Sequence, residues 1–338
     1  MSMNANALAD AVGSDESDSA SSEAGTGRGR LVLKRFLRNK GATAGLAIVI
    51  LMFLAAFVGP HIDQWQYTDI DFQNFETPPS GGHWFGTTQT GQDLFALTMR
   101  GLQKSLIIGL VGGLLTTAIA AVVGAFAGYY GGWTDRILSW GIDLFLVLPA
   151  LLMLAILSPL YKGHTWTLMI PLLAAFAWMV TARIVRAQTM NLKNREFVSA
   201  ARFMGVSGPR IIVRHILPNI ASLLIIDAVL NVAATILGEV NLSFFGFGVQ
   251  APDVSLGTLI DNAQQDLSSY QWLLVFPIAC LVLLLLSVNM IGDGLRDALD
   301  PNAQGAKKKI GQAAFEAMLA DSEAGSSRPV QPVEVTES

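Results

Sequence analysis

The sequence predicts an all-α membrane protein with six transmembrane helices, and three observations carry that reading. Apolar residues make up 52% of the 338-residue chain against 14% charged, and the mean hydropathy is +0.47, beyond what an ordinary soluble domain tolerates. Six apolar runs approach or exceed the roughly 18 residues that a helix needs to cross hydrocarbon. Lysine and arginine cluster before the first run, after the fourth and after the last, as the cytoplasmic bias of positive charge requires. The alternation puts both termini inside, with an even number of crossings of the plasma (inner) membrane.

Residues 1–30 are rich in Ser, Ala, Gly and acid, too poor in apolar surface to offset the entropy of ordering, and read as a disordered tail. Residues 31–102 form an N-terminal region with the first span, 42–60. Basic residues precede that span, as they precede a signal peptide. Its apolar run from Ala42 to Val58 is longer than a signal core and follows a long hydrophilic tail, so it is expected to stay as a span. The segment from His61 to Met99 holds five acids, with "PPSGGHWFG" at its centre, and reads as an outward loop with a short lateral helix near "TGQDLFALTMRG".

Residues 103–293 carry the other five spans, at 104–128, 138–160, 166–185, 219–239 and 271–291. Pro149, Pro159 and Pro171 invite kinks in the third and fourth. Between the fifth and sixth, "LSFFGFGVQAPDVSLGTLIDNAQQDLSSY" is amphipathic, interrupted by Gly246, Gly248 and Pro252, and reads as a lateral or re-entrant element. Residues 294–338 form a cytoplasmic tail, mostly disordered.

Several chemistries are excluded. One cysteine, Cys280, rules out internal disulfides and cysteine metal cages. The chain has no Gly-Lys dipeptide and hence no phosphate-cradling loop of the G-x-x-x-x-G-K-[ST] type; H-E-x-x-H and G-x-S-x-G are missing as well. His61, His83, His164 and His215 are scattered over different loops and suggest no metal site. No catalytic set emerges, so the chain is not expected to be an enzyme, and its energy must come from another chain or an ion gradient. Intramembrane polar residues are the place to look for the latter. Asp143 follows Gly141 near the inner end of the third span, where a helix N-terminus favours an acid. Asp227 and Asn231 lie one turn apart in the fifth, either bonding across a helix interface or lining a wet pathway. Glu239 is expected at the outer end of that helix, in reach of water.

Seven of the 22 basic residues fall between Arg183 and Arg214, around "REFVSAARFMGVSGPRIIVRHILPN". The pattern predicts two short cytoplasmic helices. The first runs from Asn194 to Met204 and stops at Gly205 in the left-handed conformation. The second is capped by Ser207, has Pro209 in its first turn and ends at Pro218. Ala200 and Ala201 keep one surface low for a close backbone approach, with arginines around it. Two capped helices are more than topology requires, and they predict a docking element.

These residues carry a resemblance. Glu196 to Asn219 resembles the EAA loop of ABC importer permeases, whose pattern is E-A-A, three residues, Gly, nine residues, Ile, one residue, Leu-Pro. Ala200, Ala201, Gly205, Leu217 and Pro218 match in register, while Ser199 replaces the glutamate and His215 the isoleucine. "HWFGTTQTGQDLF…RGLQKSL", "AGYYGGWTDRIL", "NLSFFGFGVQAP" and "NMIGDGLRDALDP" are similar to further signatures of the second permease subunit of dipeptide and oligopeptide importers. Gln92 stands where arginine is usual and Thr88 where aspartate is usual; coverage runs from about residue 31 to 301.

The resemblance implies a type I ABC importer permease fold with a cytoplasmic coupling helix in the loop 186–218. Glu196, Ser199, Ala200, Ala201, Arg202, Gly205, Arg210, His215, Leu217 and Pro218 would meet an ATPase. It implies a homologous permease as heterodimer partner, two ABC ATPase subunits that hold ATP and Mg, and an extracytoplasmic solute-binding protein that delivers peptide. This chain itself would bind no cofactor and no nucleic acid, only partners, peptide and membrane lipid. The same architecture also imports nickel chelates, glutathione-like or other small solutes. A stand-alone ion-coupled secondary transporter is the reading from another class, and it would need a buried titratable relay.

Overall fold

A computed structural model of the chain describes residues 28–157, 165–264 and 268–299. The tails 1–27 and 300–338, together with Pro159, Lys162 and His164, lie outside the described residues. The helices are α1 (Arg28–Arg38), α2 (Lys40–Ile62), α3 (Leu94–Tyr130), α4 (Gly132–Val147), α5 (Ala150–Leu157), α6 (Thr165–Ala177) and α7 (Met179–Leu192). They continue as α8 (Glu196–Phe203), α9 (Gly208–Ile211), a π-helical turn (Ile212–Ile216), α10 (Leu217–Asn219), α11 (Ala221–Phe244), α12 (Leu256–Ala263) and α13 (Trp272–Leu299). Among the described residues the sole β feature is an isolated bridge between Thr87 and Asp93.

Four helices, α2, α3, α11 and α13, are each long and apolar enough to cross a bilayer. The third and fourth predicted spans are instead bent pairs. The α4–α5 pair turns through 81° where Pro149 interrupts it, and the α6–α7 pair turns through 50°. Pro149 therefore breaks its span outright, whereas Pro171 sits inside α6 and the bend falls at Trp178. The Trp178 indole N–H donates to the Ala175 carbonyl at 2.9 Å, restoring a partner to the backbone beside that bend.

Helix α3 is the central element. Its 37 residues would reach roughly 55 Å at 1.5 Å per residue, well past the hydrocarbon core. It begins where a separate lateral helix was expected, because Asp93 N-caps it by accepting the Ala96 N–H at 2.8 Å. The segment "LFALTMRG" is thus the first two turns of α3. Two small-residue pairs let neighbours approach it. A Cβ on Gly113 would lie 2.5 Å from the Val232 nitrogen of α11, and one on Gly128 would lie 2.6 Å from the Arg186 carbonyl oxygen of α7. Gly109 and Gly124, each four residues earlier, face the same two helices. Membrane helices, which gain nothing from hydrophobic sorting against lipid, associate through such close contacts.

One core cluster joins α2, α3, α11, α12 and α13 through Met52, Leu102, Ile236, Leu256, Ile260 and Leu284. Helix α12 is the lateral element expected there; Ser255 and Thr258 form a reciprocal capping box at its start. On the same side, the loop between α2 and α3 is pinned by His83, whose Nδ1 is 2.8 Å from Asp93 Oδ2 and whose ring stacks on Trp65. The Asn74 amide and the Gln73 N–H hold the neighbouring Asp71 carboxyl below the usual range.

Candidate coupling surface

The opposite end of α3 carries the charged loop. Asp135 in the first turn of α4 accepts a bidentate pair from Arg186 of α7, its second bond 2.6 Å long. Lys193 donates to the Gly128 carbonyl at 3.0 Å. Helix α3 thus ends against α7, and its last residues, Tyr129 and Tyr130, form a platform. The Arg202 guanidinium lies 5.4 Å from the centre of the Tyr129 ring, and a Cβ on Gly208 would meet the Tyr130 hydroxyl at 2.6 Å.

Helix α8 forms from "EFVSAARF", with acidic Glu196 in its first turn and basic Arg202 in its last, both favoured by the helix dipole. It stops as expected. Gly205 has φ +77°, the Val206 N–H donates to the Ala201 carbonyl and the Gly205 N–H to that of Arg202, a Schellman closure. The second helix departs from expectation. The Ser207 side chain makes no capping bond. The helix then widens into a π turn, in which the Leu217 N–H reaches back five residues to Ile212, beside Pro218, which has no N–H to offer. The helix ends at Asn219, one residue beyond Pro218, and the non-helical Ile220 separates it from α11.

The inner face of this loop is a small core. Val198, Ala201, Ile211, Ile212 and Ile216 are buried with Ala125 and Val185. Ala200 and Ala201 therefore differ in environment: Ala201 is 1% exposed and packed inside the chain, while Ala200 is exposed. The pair is not one low docking surface. What the loop presents outward is Phe203, 92% exposed, and Met204, 76% exposed, with Phe197 beside them. Glu196, Arg202, Arg210 and Pro218 are exposed as well, and Ser199, His215 and Leu217 are half-buried. Leu192, Asn194, Arg195, Glu196, Phe197 and Asn219 line an open groove alongside. The two large apolar side chains were overlooked in the sequence because they sit between the motif's small residues and its glycine.

The intramembrane polar residues fall elsewhere. Asp227 accepts from Thr117 at 3.0 Å, Thr181 at 2.9 Å and Asn231 at 2.7 Å, and Asn231 also donates to Thr117. This knot joins α3, α7 and α11 across a helix interface, and Asp227 also lines an open pocket with Ile184, Leu230 and Arg296. Asp143 is not at a helix N-terminus: it lies late in α4 and pairs with Arg183 of α7, both more than half exposed. Glu239 is not in reach of water. It is 0% exposed and receives the Ser243 hydroxyl at 2.6 Å and that of Ser105 at 3.4 Å. Lys104, also buried, sits 3.3 Å from Asp253 and 3.7 Å from the Trp166 ring centre, and Arg100 reaches the same Asp253 at 3.0 Å. The clusters unite residues 134 and 153 positions apart in sequence, Ser105 with Glu239 and Arg100 with Asp253.

Residues 120–305 match the family described as binding-protein-dependent transport system inner membrane component. That stretch covers more than half of the chain, the loop 186–218 included. The chain belongs to this permease family. Residues 27–79 of the permease also match the N-terminal transmembrane domain of oligopeptide transport permease C. The permease is 50% identical over 284 residues to the oligopeptide transport system permease protein OppC of Mycobacterium tuberculosis, covering 84% of this chain and 98% of that one. It is 39% identical to OppC of Haemophilus influenzae, over 79% of this chain and 86% of that one. It is 38% identical to a putative peptide permease protein of Brucella suis, over 80% and 90% respectively. A solved structure of the MetNI methionine ABC transporter in an inward-facing conformation aligns with a TM-score of 0.49 and 20% identity, over 60% of this chain and 96% of that chain.

Proposed function

We propose that this permease is one half of the membrane pathway of an ATP-driven importer of di- and oligopeptides. A homologous permease supplies the other half, and an extracytoplasmic binding protein delivers the peptide. Two ATPase subunits, holding ATP and Mg, dock at the cytoplasmic face, one of them on the loop 186–218, and both termini lie on that face. The observation that carries the reading is the outward surface of α8. Phe203 and Met204 stand 92% and 76% exposed on a loop whose other face is a packed core, seated against Tyr129 and Tyr130. Exposed apolar side chains on a buttressed element mark a protein contact. The relatives named for oligopeptide transport supply the cargo class. The threefold bonding of Asp227 supports a structural role for that acid of α11.

The test is uptake of a labelled oligopeptide by cells carrying the permease with its partners, together with co-purification. Uptake should follow cellular ATP, persist when the proton gradient is dissipated, and survive Asp227→Asn, and ATPase subunits should purify with the permease. Uptake that collapses with the gradient while ATP is maintained would overturn the assignment.

A further inference from the structure

Helix α1 is separated from the first long span by a single residue, Asn39, which caps α2 by accepting the N–H groups of Gly41 and Ala42. It must therefore lie at the membrane surface. It is held there by one edge: Phe36, 6% exposed, packs with Ala42 and Ala298, and Val32 joins them. At 100° per residue, Leu33 and Leu37 lie roughly 60–100° round the helix from Phe36, and both are more than half exposed. Beyond them come Arg30, Lys34 and Arg38, all exposed, with Arg35 further round. No acid occurs between Arg28 and Ile62. Orientation in the membrane requires only that positive charge be near the span. It does not require a docked edge, an apolar edge and a cationic arc in sequence around one short helix.

We propose that α1 is an interfacial helix that binds anionic lipid headgroups. Leu33 and Leu37 enter the acyl boundary while Arg30, Lys34 and Arg38 meet lipid phosphates, and Phe36 transmits that hold to the end of α13. The charge complementarity selects an anionic lipid surface over a zwitterionic one, since each basic side chain near such a surface contributes about fivefold to binding at low salt. The rival occupant is the chain's own residues 1–27, which carry Asp10, Asp15, Glu16, Asp18 and Glu23 and no base.

The test uses the full-length permease assembled with its partners in vesicles, with Cys280→Ala and a fluorophore on Leu37→Cys. Quenching is compared for brominated phosphatidylglycerol and brominated phosphatidylcholine at equal mole fraction. The expected result is at least about twofold stronger quenching by the anionic lipid, with the preference fading between 0.05 and 0.5 M salt as charges are screened. The triple variant Arg30→Gln, Lys34→Gln, Arg38→Gln should bring the ratio to one, and the salt titration of the unsubstituted helix gives the same answer without a variant. Equal quenching by both lipids overturns the proposal. So does quenching that appears only when residues 1–27 are removed, because the tail then covers the arc. Since the readout is lipid proximity, its failure leaves the transport assignment standing.

Discussion

Gly128→Ala adds one methyl where α3 meets α7. Its Cβ would stand 2.6 Å from the Arg186 carbonyl oxygen and 2.8 Å from Thr189 Cβ. Ordinary contact begins near 3.4 Å, so the helices must part by roughly 0.8 Å at the tighter point, 3.4 minus 2.6. Neither neighbour is the free end of a flexible side chain: one is backbone and the other a β-branched carbon in mid-helix. Overpacking of this kind costs about 1–3 kcal/mol, offset by up to ~1 kcal/mol from alanine's better helix propensity. With the full offset the net expectation is a loss of up to about 2 kcal/mol. Gly141→Ala in α4 is the matched contrast. A Cβ there meets nothing within 4 Å, so propensity alone acts and stability should rise by up to ~1 kcal/mol. Thermal unfolding of the two purified, assembled variants beside the parent protein measures both signs. If Gly128→Ala melts at or above the parent, or Gly141→Ala falls below Gly128→Ala, the close-approach account of α3 is wrong.

Three further outcomes follow from the candidate coupling surface and the proposed topology. Gly205→Val should cost about 1–2 kcal/mol of local stability from its left-handed backbone alone, because no atom lies within 4 Å of a Cβ there; Gly205→Asn should retain most uptake, and equal loss by both would point to another cause. Phe203→Ser should leave abundance normal and abolish peptide uptake, whereas Ala201→Trp should lower abundance by forcing an indole into the loop core; immunoblotting beside uptake separates the two. In a Cys280→Ala background, cysteines at Gly81 and Ser268 should react with an impermeant maleimide on intact cells, and Ser207→Cys only after permeabilisation.

What could be read from the sequence was what depends on local pattern. The four long spans, the stop at Gly205 and the basic loop were legible because apolar runs and glycine punctuation are properties of consecutive residues. The G-x-x-x-G pairs at Gly109–Gly113 and Gly124–Gly128 were equally visible and were passed over, although they fix how α7 and α11 lie on α3. Glu239 was misplaced for a different reason. Its solvent exposure is decided by Ser105 on α3 and by the turn leading into α12, neither of which has any sequence relation to it. Asp143 likewise finds Arg183 forty residues on, and no helix-end rule anticipates that partner. The face of α8 escaped because the motif draws attention to its alanines. Burial of Ala201 is set by Ala125 and Val185, and what remains outside is Phe203 and Met204.

The pairing of Asp135 with Arg186 has a bearing on counting. It joins the start of α4 to the far half of α7, while Gly128, at the end of α3, lies against Arg186 on the same side. The stretch from α4 to α7 is therefore an excursion that leaves from one face and returns to it. Its two arms, bent by 81° and 50°, either both reach the opposite face or both turn back short of it. The tally is six crossings in the first case and four in the second, and both numbers are even. The even parity of the crossings is thus independent of how deeply the bent arms penetrate. Probes just before α2 and just after α13 report on α2, α3, α11 and α13 alone, and the depth of the excursion is read only within α5 and α6.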